Sequence, residues 1–154
     1  MSAEEKHIIL VACAAGKRDV PQSACDLYES QLFAASRAYA EARSARWYIL
    51  SALHGVIEPD QVIAPYERTL NEMPIAERRE GARSVNEKLS LLLPPGSLVE
   101  VLAGKKYRES IVPFLRATGF TVHEPLARLR VGEQVQWLKR QVVVTSQPTS
   151  NVTE

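Results

Sequence analysis

The sequence predicts a single α/β domain, a layered fold with a mostly parallel sheet of about four strands flanked by helices. Three observations carry that prediction. Four short apolar runs rich in β-branched residues, at 7–14, 46–53, 97–104 and 120–127, alternate with segments of helical period. The first of them, "HIILVACA", is apolar along nearly its whole length rather than alternating, as a strand covered on both faces is. The chain, with 154 residues of which 45% are hydrophobic, is long enough for one sizeable core.

The elements follow in order. "HIILVACA" opens the sheet and stops before Gly16. In "CDLYESQLFAASRAYAEARS", Leu27, Leu32, Ala35, Tyr39 and Ala42 recur at helical spacing, and Asp26 is placed as the N-cap. "RWYILSAL" is the second strand. The segment after it, "HGVIEPDQVIAPYERTL", has a glycine, two prolines and no sustained period, so it reads as a long loop of the functional kind. "PIAERREGARSVNEKLSLLL" is a helix with Pro74 in its first turn, closed by Pro94-Pro95-Gly96. "SLVEVLAG" is the third strand. "KKYRESIVPFLRATG" is a helix with an internal or late Pro113 and a terminal Gly119. "FTVHEPLA" and "VGEQVQWLKRQVV" supply the last strand and the closing helix. Residues 1–144 form the domain, and 145–154, rich in Ser, Thr and Pro, read as a disordered tail.

Composition excludes several classes of function. Nineteen basic against 18 acidic residues, a net charge of +1, argue against coating nucleic acid or anionic membrane by net field alone. The first apolar run is far too short to span a bilayer, and the start is acidic, unlike a signal peptide. A cytoplasmic location without membrane partners is therefore expected, with Cys13 and Cys25 as thiols. Three scattered histidines and no C-x-x-C show no zinc spacing, and no cofactor is expected.

Ligands of open α/β sheets bind outside the carboxyl ends of the strands. The residues there are Cys13 to Arg18, Leu53 to Glu67, Gly104 to Tyr107 and Leu126 to Glu133. Lys17 and Arg18 beside Gly16 suit an anion at a helix start, although neither a P-loop nor a G-x-G-x-x-G pattern is present, and an ordinary turn with solvated cations is the alternative. Cys13 is either a pocket thiol or a small core filler. His54 offers acid, base or hydrogen-bond chemistry, Asp60 or Glu67 a carboxylate, and Tyr66 a stacking surface; capping, solvation and loop packing are the plainer readings. Lys105, Lys106 and Arg108 are expected to share one basic face with Lys17. Glu133 is explained by the helix dipole alone, and Trp137 reads as core.

Taken together, "ACDLYESQLF", "WYILSALHG", Pro59-Asp60, Pro65-Tyr66-Glu67, Leu102 to Gly104 with Tyr107, and "VGEQVQWL" resemble the ordered motifs of an uncharacterised group of bacterial and phage domains of unknown function. The likeness runs to about Leu138. Ala14 stands where that group has serine, and Glu67 where it has aspartate. The strand-cysteine-lysine opening is more remotely similar to the YaaA peroxide-stress family and the archaeosine synthase core domain. That resemblance implies a nucleotide- or nucleobase-binding domain, with cleavage of an N-glycosidic bond as the reaction if it is catalytic. The expected catalytic set is His54, Asp60 and Glu67. The expected ligand-binding set is Cys13, Lys17, Arg18, Tyr28, Ser30, Gly55, Tyr66, Gly104, Lys106, Tyr107 and Glu133. Lys17, Arg18 and Lys106 would hold phosphate, and Tyr28 or Tyr66 would stack the base. The rival readings are a non-catalytic DNA- or nucleotide-binding module and a stress- or phage-associated interaction protein.

Overall fold

A computed structural model describes residues 7–12, 21–27, 30–43, 46–51, 55–63 and 74–146. In chain order the elements are β1 (His7–Ala12), β2 (Gln22–Ser23), the single turn α1 (Ala24–Leu27), α2 (Gln31–Ala42), β3 (Arg46–Ser51), β4 (Gly55–Ile57), β5 (Val62–Ile63), α3 (Ile75–Leu92), β6 (Leu98–Leu102), α4 (Lys105–Thr118), β7 (Thr121–His123) and α5 (Val131–Ser146). The main sheet runs β4-β3-β1-β6-β7. All its pairings are parallel except β3 with β4. The mostly parallel α/β sheet flanked by helices is therefore as expected, with β4 as an added antiparallel edge.

Both faces of the sheet are covered, which is why β1 is an unbroken apolar run. Ile8 and Leu10 pack with Tyr48, Leu50, Val99 and Val101 beneath Val85 and Leu89 of α3 and Ile111 and Leu115 of α4. Ile9 and Val11 face the other way, onto Phe33 and Tyr39 of α2 and Leu138 of α5. β1 pairs with β3 on one side and β6 on the other, so the strand order reverses at β1. That reversal places the topological switch point at the carboxyl ends of β1 and β6.

Four local expectations change. The N-cap of the long second helix is Ser30 and not Asp26: α1 is one separate turn, and the Ser30 hydroxyl accepts a 2.9 Å hydrogen bond from the Phe33 amide. The loop after β3 contains two strands. Gly55 adopts φ 75°, a left-handed conformation cheap only for glycine, and the chain folds back so that Val56 and Ile57 are buried against β3. β5 then pairs antiparallel with β2. Pairing too short to show a period was invisible in sequence. Pro74 is the N-cap of α3, one position before the expected first turn. At the other end of the chain, α5 runs through Ser146 and takes in the first two residues assigned to the tail. Gly119 closes α4 at φ 105° as expected, and the helix continues through Pro113 because Ile111, Val112 and Leu115 anchor it on the sheet.

Ser30→Ala removes one cap bond at an exposed position. It is expected to cost about 1 kcal/mol, a fall in Tm of about 2–4 °C at this chain length. An unchanged melting curve would show that the cap contributes nothing.

Candidate functional site

The carboxyl edge is built from the two strands of the switch point. Val11 of β1 lies beside Leu102 of β6, so β1 ends at the same edge from which the Ala103-Gly104 turn leaves the sheet. Gly104 is extended and exposed, and is the N-cap of α4 with no side-chain cap bond. Pro74 likewise gives α3 no side-chain cap. Two helices thus begin with first-turn amides that no cap side chain satisfies, which favours negative charge nearby.

The start of α3 overhangs this edge. Its Lys88 ammonium donates to the Val56 carbonyl at 2.8 Å, and Val85 lies against Gly55, where a Cβ would come 3.7 Å from its Cγ2. Gly55 pairs with Ser51, the last residue of β3, so the turns of α3 before Val85 extend past the strand end. Burial agrees. Val85 and Leu89 are the buried residues of α3, and none precedes Val85. The overhanging turns carry Arg78, Arg79 and Arg83, which face Lys106 of α4 across a groove of about 790 Å³. Those four cations meet two carboxylates there, Glu87 and Glu109. Arg83 also lies 3.7 Å from Glu80, but both side chains are more than 70% exposed, so the pair is screened and weak. Arg78 Nε and Asn86 Oδ1, both buried in this groove, have no hydrogen-bond partner among the described residues.

The basic residues after β6 do not act together. Lys106 lines the groove, whereas Arg108 turns away, donating through Nε to the Ala103 carbonyl at 3.2 Å and reaching Glu124 at 3.5 Å. On a helix, residues two apart point to different sides, so the shared face expected for Lys105, Lys106 and Arg108 is split. Arg108 instead ties the end of β6 to the residue that follows β7. Tyr107 is half-buried against the core. Ser30 caps α2, and Glu133 Oε1 accepts a 2.8 Å hydrogen bond from the Arg130 amide at the start of α5. Asp60 is exposed in the turn between β4 and β5. Cys13, Lys17, Arg18, Tyr28, His54, Tyr66 and Glu67 lie outside the described residues.

A second polar cluster is not legible in the sequence. Glu100, in the middle of the apolar run "SLVEVLAG", points to the α2 and α5 side and is 7% exposed. Its Oε1 accepts from His7 Nε2 at 2.7 Å, and its Oε2 accepts from the Tyr39 hydroxyl at 2.6 Å. His123 sits directly opposite Glu100 on β7. Trp137 packs on Tyr39 with ring centroids 5.6 Å apart, half-buried at the edge of the core. Burial, then the hydrogen bond to Glu100 and its negative charge, push the Tyr39 hydroxyl well above the ordinary tyrosine range, against a smaller opposing pull from Arg43. The only signal in sequence was an acidic residue inside a strand otherwise made of Leu and Val. Among the described residues no three His, Cys, Asp or Glu side chains converge to hold a metal, and no helix is long and apolar enough to cross a membrane.

Fold and edge together define an open α/β domain with a cation-lined groove beside its switch point. The chain belongs to a family of unknown function, DUF6884, whose model matches residues 8–140. No curated protein matches it.

Proposed function

We propose that the domain binds a phosphate-bearing ligand, a nucleotide or a nucleic-acid strand, at the carboxyl edge of its sheet, with the groove between α3 and α4 holding the phosphates. The observation that carries this reading is the overhang of α3. Val85 is the first core residue of α3, yet ten helical residues precede it and present three arginines opposite Lys106. Guanidinium groups bind phosphate oxygens bidentately, and the uncapped helix starts add favourable field at the same edge. The near-neutral net charge does not oppose this, because a local patch sets the potential in its own groove. Of the residues expected to cleave a glycosidic bond, only Asp60 is among the described residues, so the reading rests on the groove and is one of ligand binding.

The test is fluorescence anisotropy of a labelled single-stranded oligonucleotide, with ATP as competitor, over a salt series. Affinity should fall with salt, and Arg78→Gln/Arg79→Gln/Arg83→Gln should reduce the salt slope by about 2, at about 0.7 per lost phosphate contact on a single strand. Lys106→Ala should weaken binding and leave Tm within about 1 °C, since its side chain is at the surface. Salt-independent binding, or no binding by the wild-type chain, would overturn the proposal.

A further inference from the structure

The cluster around Glu100 floors a cleft of about 670 Å³, on the opposite side of the sheet from the basic groove. The chemistry of this cleft is complementary to the groove's. Glu100 is held in place from two sides, by Tyr39 and His7, and each carboxylate oxygen has a further lone pair beyond the one in use. Because the carboxylate takes the His7 Nε2 proton as an acceptor, the remaining ring nitrogen of a neutral His7 is a second acceptor. The wall is aromatic, made of the Tyr39 and Trp137 rings.

The molecule already seats one planar cation here. The Arg43 guanidinium lies 4.5 Å from the centroid of the Tyr39 ring. Arg43 is exposed at the rim, and its contact with the ring is a cation–π contact of the kind that water weakens. A small ligand with the same flat N–C–N edge would reach what Arg43 does not, the Glu100 carboxylate at the hydroxyl end of the ring.

We propose that this cleft is a binding site for small planar organic cations bearing an amidine or guanidine edge, with Glu100 receiving the N–H groups and Tyr39 and Trp137 covering the flat face. A ligand of this kind replaces Arg43 over Tyr39. Glu100 is the specificity-determining group, because a cation with two parallel N–H donors matches a carboxylate and a neutral amide does not. This site is independent of the phosphate groove, and neither result depends on the other.

Benzamidine is the probe, with the neutral isostere benzamide as its control. Binding is followed by NMR on the Trp137 indole N–H, assigned with Trp137→Phe, and on the imidazole C–H signals of His7 and His123. Saturable shifts of these signals with a Kd on the order of 1 mM are expected for so small a ligand, and benzamide should bind at least tenfold more weakly. Arg43→Ala should tighten benzamidine binding several-fold by removing the competing cation. Glu100→Gln, which keeps acceptor and donor groups for Tyr39 and His7, should weaken it at least tenfold. Equal shifts with benzamide, no saturation in the Arg43→Ala protein, or unchanged affinity in folded Glu100→Gln would each overturn the proposal. Should Glu100→Gln fail to fold, the benzamide comparison and Arg43→Ala decide it alone.

Discussion

Tyr39→Phe is expected to destabilise the fold by about 2–3 kcal/mol, although it removes a single oxygen atom. The ring stays in place, so the apolar burial of Tyr39 and its contact with Trp137 are retained. What is lost is a 2.6 Å hydrogen bond to a carboxylate whose side chain is 9% exposed at the floor of its cleft. Leaving a buried charge without one of its partners costs more than a neutral bond contributes. Glu100→Gln in the Tyr39→Phe background should therefore recover most of the loss, because an amide is less costly to leave half-satisfied, and a double-mutant cycle would read that coupling. His7→Gln should cost less than Tyr39→Phe. The His7 side chain is 20% exposed and solvent can take over part of its role.

The same bond sets an alkaline limit. The Tyr39 hydroxyl is raised in the folded chain above the ordinary value near 10, first by burial and then by Glu100. A raised acid binds its proton more tightly when folded, so its contribution is complete below pH 10. As pH rises beyond about 10, the unfolded chain releases that proton while the folded chain keeps it, and stability falls. Urea melts between pH 8 and 11 should show a steeper decline for the wild type than for Tyr39→Phe. Parallel declines would mean that Tyr39 titrates normally.

Leu10→Ala is expected to cost about 3–5 kcal/mol, the upper part of the range for buried leucine, and to lower Tm by about 10 °C. Leu10 is fully buried in the central strand, between Tyr48 and Val101 on the neighbouring strands and beneath the helices of the α3 and α4 layer. A neighbour on every side leaves the void little room to collapse. Against a total of about 5–15 kcal/mol for a domain, the variant would be marginal. Leu91→Ala is the matched control: with Leu91 87% exposed, the change should stay within about 0.5 kcal/mol. Urea midpoints of the two variants check both expectations. A small effect at Leu10 would contradict the two-sided core.

The order of the elements was legible because buried parallel strands and amphipathic helices leave different periods in a linear string. The described parts of the first two runs, His7–Ala12 and Arg46–Ser51, are mostly apolar for the reason the structure shows, helices on both faces. Gly119 announced the end of α4 because a left-handed cap tolerates little else. Short pieces were not legible. β4 and β5, of three and two residues, carry no period, and α1 was merged with α2 because one turn and a cap look like continuous helix.

The candidate sites divide in the same way. That glycine and cations stand where β6 meets α4 was readable from Gly104 to Arg108, and the structure puts the switch point beside them. The basic partners of Lys106 were not readable there, since nothing in the helical period of "PIAERREGARSVNEKLSLLL" sets Arg78, Arg79 and Arg83 apart from any solvated face. Only the height at which Val85 meets Gly55 makes that helix overhang the edge. Glu100 shows the limit more sharply. Period and composition act between neighbours in the chain, so they determined strands, helices and the class of fold. The meeting of His7, Tyr39, Glu100 and His123 depends on which strands lie side by side and which helix crosses them, and that was decided by long-range packing alone.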